Sequence, residues 1–231
     1  MKAPIPTNEA QRLDALKSYQ VLDTEAEQIY DGITALAAHI CAVPVAMVSL
    51  VDESRQWFKS KLGVHQQQTP RDMAFCAHAI LQDEPLYVND AMTDSRFADS
   101  ALVTGEPHIR FYAGVPLVNS EGFALGTLCV IDRKPRQLSA KQREAMQILA
   151  RQVMSLLEMR RISARLANAL ANVKTLEGLL PTCAWCHRIR DDKGLWSTVE
   201  VYLKARTDTD FTHGICQECR AKHFPPKWEN H

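Results

Sequence analysis

The sequence predicts an α+β fold with a mostly antiparallel sheet, and three observations carry that prediction. Two pairs of β-rich runs are each joined by a short turn: residues 43–51 and 56–62 around Asp52-Glu53-Ser54, and residues 109–118 and 123–131 around Asn119-Ser120-Glu121-Gly122. Helical patterns precede these pairs and separate them. A run without proline or glycine then extends from Ser139 to Glu177, well beyond the usual length of a globular helix.

The first helix opens at Asn8-Glu-Ala-Gln-Arg-Leu-Asp-Ala-Leu-Lys, and Thr24 caps a second with Ile29, Ile33, Leu36, Ala37 and Ile40 on its apolar side. After the first strand pair, Thr69-Pro70-Arg71-Asp72 leads into a short helix over residues 73–81. A strand at residues 86–89 and a turn-rich segment through Asp94-Ser-Arg-Phe-Ala-Asp come next. Both strands of the second hairpin are apolar enough to lie at the centre of the sheet. Ser139 is a good N-cap for the long helix, along which Leu149, Val153, Leu156, Ile162, Leu166, Ala169, Val173, Leu176 and Leu180 recur. After Ile162 the steps alternate four and three, which is coiled-coil spacing, and a helix outrunning its domain buries such a stripe against a partner. A parallel homodimer is the simplest solution. Met159-Arg160-Arg161 interrupts the alternation, a stammer through which rotation is transmitted.

A chain of 231 residues holds one ordinary domain and a small appendage, and 46% hydrophobic residues suffice for a packed core. Lys and Arg equal Asp and Glu at 27 each, interspersed without long blocks, which argues against nucleic-acid partners and anionic membranes. The N-terminal residues carry no apolar signal segment, and no run is long enough to cross a bilayer, so the expected location is cytoplasmic. Three scattered cysteines, Cys41, Cys76 and Cys129, agree with a reducing compartment.

The other four form two knuckles, Cys183-Ala184-Trp185-Cys186 and Cys216-Gln217-Glu218-Cys219. A turn of two intervening residues brings two thiolates to one side of an ion, and two such turns supply four soft ligands, a set that suits one structural Zn²⁺ per chain. An iron site or paired disulfides are the alternatives. His187, His213 and His223 stand nearby as substitute ligands or as hydrogen-bond donors to the thiolates. The spacer holds its own element, read as a short helix over residues 196–207 that packs over the metal. With its near-balanced charge, the tail does not look like a nucleic-acid binder.

Residues 8–160 resemble a GAF domain of bacterial sensor proteins. The resemblance lies in Val21-Leu-Asp-Thr, Ser49-Leu-Val-Asp-Glu-Ser-Arg-Gln-Trp-Phe-Lys-Ser, Thr69-Pro-Arg-Asp with Phe75-Cys-Ala-His, Arg110-Phe-Tyr-Ala-Gly-Val-Pro-Leu and Gly126-Thr-Leu-Cys-Val-Ile-Asp. The tail, Leu179-Leu-Pro-Thr-Cys-Ala-Trp-Cys-His with His213-Gly-Ile-Cys-Gln-Glu-Cys, resembles a small module at the ends of sensor kinases and receiver proteins. The implied fold is a GAF-type antiparallel sheet flanked by helices, a long C-terminal coiled-coil helix and a small zinc-binding module. The expected boundaries are 1–138 for the sensor domain, 139–178 for the signalling helix and 179–231 for the metal module.

The resemblance implies a sensor without choosing its ligand. The signature of cyclic-nucleotide-binding members is absent, and Ala77 separates Cys76 from His78 where a bilin-binding member has a Cys-His dipeptide. The expected cleft is small and partly apolar, lined by Trp57, Phe75, Cys76, His78, Arg110 and Tyr112, and its ligand stays unknown. Aromatic residues in such places also serve as plain core. Cys76 with His78 is a haem or metal pair, or Cys76 is a redox-sensing thiol or an inert buried one. Arg71 and Arg110 grip an anion or form salt bridges to Asp72, Asp94 or Glu106. The loop Gly105-Glu-Pro-His108 reads as a lid.

The chain carries no kinase, cyclase, phosphodiesterase or DNA-binding motif, so the expectation is a non-catalytic signalling protein that passes its output to a protein partner. A GAF-fold redox enzyme of the methionine sulfoxide reductase kind is the alternative. That chemistry gathers several cysteines at one pocket, whereas Cys41 is expected on a packing helix and Cys129 in a central strand.

Overall fold

The computed structural model describes residues 2–176 and 180–223, giving the backbone alone for 171–176. The predicted seam side chains of Val173 and Leu176, and the predicted helix end at Glu177, lie outside the described residues. The chain divides into two compact units, Met1–Ala164 and Arg165–His231.

Six strands of the first unit, β1 (Val45–Val51), β2 (Arg55–Leu62), β3 (Gln68–Pro70), β4 (Leu86–Val88), β5 (Phe111–Val118) and β6 (Ala124–Asp132), form one sheet in the order β3-β2-β1-β6-β5-β4. Every neighbouring pair is antiparallel. Side chains alternate across a strand, so each central strand divides its residues between two cores. Val48, Leu50, Trp57, Ala113, Val115, Leu128 and Val130 face one layer. Met47, Val51, Phe58, Tyr112 and Cys129 face the other.

The first layer is helical. It comprises α1 (Glu9–Ser18), α2 (Gln28–Cys41) and the opening of α5 (Ala140–Leu176), which contributes Met146, Ala150, Val153 and Leu157. The core face of α5 is thus offset from the predicted stripe, since Leu149 and Leu156 are only partly buried. A reciprocal cap starts this helix: the Ser139 N–H donates to Gln142 Oε1 at 2.9 Å, and the Gln142 N–H donates to Ser139 Oγ at 3.3 Å. The opposite layer is thinner, made of a 3-10 turn (Arg71–Met73), α3 (Phe75–Ala79) and α4 (Ala101–Thr104).

Several expectations need correction. On α2 the buried face is Tyr30, Thr34, Ala37, Ala38 and Cys41, while Ile29, Leu36 and Ile40 are exposed. The small side chains let the helix lie close to the sheet, which turns the larger aliphatics outward. Thr24 does not cap α2. Its hydroxyl donates to the Val21 carbonyl and accepts from Lys59 Nζ at 2.9 Å, and Glu27 holds the N-cap position. Lys59 is the extra residue of a β-bulge, skipped where Val48 and Ser49 pair with Ser60 and Phe58. Its buried ammonium uses all three protons, on Thr24 Oγ1, the Glu25 carbonyl at 2.7 Å and Glu27 Oε1 at 2.6 Å.

In the second unit, β7 (Ile189–Arg190) pairs with β8 (Trp196–Ser197), and α6 (Val199–Lys204) and α7 (Gln217–His223) come after them in the chain. The helix predicted over 196–207 is shorter because Trp196 and Ser197 are taken by the hairpin and Thr198 is the N-cap of α6.

Arg12 and Arg71, both buried, converge on Glu9 of α1. Arg12 Nε and Nη2 donate to its two oxygens at 2.9 and 2.8 Å, and Arg71 Nη1 donates at 2.5 Å. Burial opposes the charge on Glu9, but the two guanidiniums prevail and hold its carboxyl down at about 2. Replacing Glu9 by Gln leaves two buried cations without their counter-charge and is expected to cost about 3 kcal/mol at neutral pH. The sign comes from the lowered pKa: the contribution is complete above the ordinary value of 4.5 and is lost as pH falls toward 2. Urea unfolding midpoints should therefore show the gap between wild type and Glu9→Gln closing over that window, and a gap independent of pH would contradict the assignment.

Candidate functional site

A cavity of about 490 Å³ opens on the face of the sheet away from α1 and α2. Met47, Phe58, Phe75, Cys76, Ile109, Tyr112 and Ile131 make its apolar wall, and Gln56, Thr69, Glu106 and Arg133 add polar groups. Of the six predicted cleft residues, Phe75, Cys76 and Tyr112 line it.

The other three stand elsewhere. Trp57 lies one step along β2 from Gln56 and Phe58, so the strand turns it into the helical layer. His78 rests edge-on against Phe97 with ring centroids 4.8 Å apart. Arg110 Nε donates to Asp90 Oδ1 at 3.1 Å. Neither arginine is held as expected: Arg71 pairs with Glu9 and also donates to the carbonyls of Asp52 and Glu53, and Arg110 pairs with Asp90. Glu106 and Pro107 of the predicted lid do line the cavity.

Gln56, Met47, Phe58, Ile109 and Ile131 were not singled out in the sequence, although alternation along β2 from Trp57 contained the signal for two of them. Gln56 is 4% exposed, and its Oε1 has no hydrogen-bond partner. A buried acceptor left unpaired is costly, and this one belongs to the cavity wall.

Cys76, at the start of α3, is where the polar chemistry gathers. Thr127 Oγ1 donates to its sulfur at 3.0 Å and the Tyr112 hydroxyl at 3.3 Å, while Ser49 Oγ lies 3.4 Å from Thr127 Oγ1. The sulfur of Cys129 is 3.8 Å away. Burial opposes the Cys76 thiolate, yet hydrogen bonds from Cys129, Ser49, Thr127 and Tyr112 outweigh it and bring the thiol down to about 6. Cys129 is pushed well above the ordinary thiol value, chiefly by its hydrogen bond to Cys76 and then by burial. Burial likewise raises Tyr112, so both remain protonated donors. Cys129 lies in a central strand as expected, but β6 runs next to β5 and carries it onto the same face as Tyr112, so that two cysteines, Cys76 and Cys129, gather beside the pocket.

Tyr112 reaches Cys76 because Gly114, two residues along the strand, has no side chain. A Cβ there would lie 2.1 Å from the Tyr112 hydroxyl. Behind the thiol, Phe75 stacks between Phe97 at 4.2 Å and Tyr112 at 5.2 Å.

The tail thiols are arranged differently. Cys183 pairs with Cys186 and Cys216 with Cys219, and the Cys219 N–H points at Cys216 Sγ at 3.4 Å. Among the described residues no three or more His, Cys, Asp or Glu side chains gather into a group that could hold a metal ion.

Residues 25–157 match the family profile described as the GAF domain. The chain belongs to the GAF domain family. It is a GAF-domain sensor protein of signal transduction, and its sheet and flanking helices are those the resemblance implied. It is 43% identical over 143 residues to a cyclic di-GMP phosphodiesterase of Pseudomonas aeruginosa, a match covering 62% of this chain and 24% of that protein. The GAF chain thus spans about a quarter of that relative's length. That relative is named an enzyme, which overturns the expectation of a protein without enzymatic activity.

Two solved GAF domains of phosphoenolpyruvate-protein phosphotransferases are also similar. The Acinetobacter domain is 17% identical with a TM-score of 0.49, covering 66% of this chain and 94% of that one. The Coxiella burnetii domain is 14% identical with a TM-score of 0.49, covering 70% and 97%. No helix among the described residues is long and apolar enough to cross a membrane.

Thr127→Val keeps the shape of the side chain and removes the hydroxyl that donates to Cys76. The pH midpoint of thiolate absorbance at Cys76, read as the difference between wild type and Cys76→Ala, should rise in this variant. An unchanged midpoint would show that Thr127 does not set the acidity of the thiol.

Proposed function

We propose that this chain is the sensory part of a cyclic di-GMP signalling system, in which the GAF cavity binds a small, mostly apolar metabolite and regulates cyclic di-GMP hydrolysis. The observation that carries the reading is the cavity itself. Its wall is mostly apolar, with Gln56, Thr69, Glu106 and Arg133 as polar residues beside a ligand. The link to cyclic di-GMP rests on the relative's name.

A route from the cavity to α5 runs through charged contacts. Gln56 and Phe58 share strand β2 with Lys59, Lys59 holds Glu27, and Glu27 Oε1 also accepts from Arg160 of α5 at 2.7 Å. A ligand that moves β2 moves that carboxylate, and the helix with it. Val64 lines the cavity and is only partly buried, so Val64→Trp fills the space without opening the core. Cells carrying the wild-type chain are expected to change their cyclic di-GMP level relative to cells lacking it, and cells carrying Val64→Trp are not. Equal levels in all three would refute the reading.

The assembly belongs to the same proposal. Ile162 and Leu166 of α5, two positions of the predicted seam, are exposed, and an apolar stripe with that spacing is buried in a parallel homodimer. The two tail knuckles share one structural Zn²⁺ per chain, which supplies a cross-link between them. The Cys219 N–H aimed at Cys216 Sγ supports such a thiolate pair. The reducing cytoplasm suits thiols that are all free. Native mass spectrometry of the purified chain should give a dimer with one zinc per chain, lost in Cys183→Ser with Cys216→Ser. A metal-free wild type would remove the zinc assignment, and a monomer would remove the dimer.

A further inference from the structure

Cys76 stands between the cavity, whose wall it helps to form, and the sulfur of Cys129 at 3.8 Å, which is not among the lining residues. A molecule in the cavity meets Cys76 first. Both sulfurs are buried and free. Burial alone makes a thiol inert, and Cys41 on α2 illustrates it: with nothing but burial acting, its thiol is pushed up to about 11. Cys76 moves the other way because hydroxyl and thiol donors surround it.

We propose that Cys76 and Cys129 form an oxidant-sensing dithiol, in which a peroxide admitted to the cavity oxidises Cys76 and Cys129 then closes a disulfide with it. The inference deepens the sensor reading and rests on it for the meaning of the signal. In the first step the Cys76 thiolate attacks one peroxide oxygen, an S–O bond forms, the O–O bond breaks, and the leaving oxygen takes a proton to give water or an alcohol. In the second step the Cys129 sulfur attacks Cys76–SOH, an S–S bond forms, the S–O bond breaks, and the Cys129 proton leaves with the hydroxide as water. The dithiol loses two electrons and the peroxide gains them. Closure brings the sulfurs from 3.8 Å to about 2.05 Å, with Cys76 on the five-residue helix α3.

The full chain is treated with hydrogen peroxide, free thiols are alkylated, and peptides are mapped without reduction. A peptide linking Cys76 to Cys129 is expected. Cys129→Ala should instead stop at the sulfenic acid, trapped on Cys76 by dimedone, and Thr127→Val should react about tenfold more slowly below pH 6, as a rise of about one unit in the thiol pKa requires. Cys76 left reduced while the tail thiols oxidise would overturn the proposal, and so would links from Cys76 only to tail cysteines. The wild-type map decides by itself if a variant fails to fold. It reads sulfur chemistry alone, so a missing disulfide and a missing cyclic di-GMP effect are separate failures.

Discussion

Strand alternation is the constraint on which the rest of this GAF domain depends. Strands β1, β5 and β6 are covered on both faces, so every second residue must suit the helices and every other one must suit the cavity side. A slip of one residue in β6 would carry Thr127 and Cys129 into the helical layer and bring Leu128 to the thiol. Register is therefore what assembles the chemistry, and the antiparallel pairing of β1 with β6 and of β5 with β6 fixes it.

The two layers are stabilised by different means. The helical layer is thick, and small residues of α2 allow a close approach to the sheet. Two charged groups caught there are held by several partners: Lys59 by three acceptors, Glu9 by two guanidiniums. The cavity layer consists of short elements and loops, and it holds an unpaired amide oxygen at Gln56 and an acidified thiol at Cys76. Functional groups concentrate where the packing is least complete.

The sheet was legible in the sequence because its hairpins carry both turn residues and β-rich runs, and the long helix because nothing interrupts it. The short pieces β3 and α4 were not, having too few residues for a period to register. Half of the cleft was legible. Trp57 was misplaced because an aromatic residue on a strand names no face until the pairing is known, whereas Phe75, Cys76 and Tyr112 share the cavity wall. The strand of Cys129 was legible, but its closeness to Cys76 was not, because proximity across strands is a property of register and not of local pattern. On α2 the larger aliphatics suggested the wrong buried face, since close packing selected the small residues.

Gly114 extends this dependence to a position with no side chain. The Tyr112 hydroxyl occupies the space where a methyl group would stand, so the acidity of Cys76 is inherited from a gap in the neighbouring strand. An alanine there would ask nothing new of the turns, but the buried Tyr112 ring, stacked on Phe75, would have to move. The loss would include the orientation of the phenol toward Cys76. The one residue thus serves packing and chemistry together, and GAF sheets with identical topology can differ in thiol reactivity through a single methyl group.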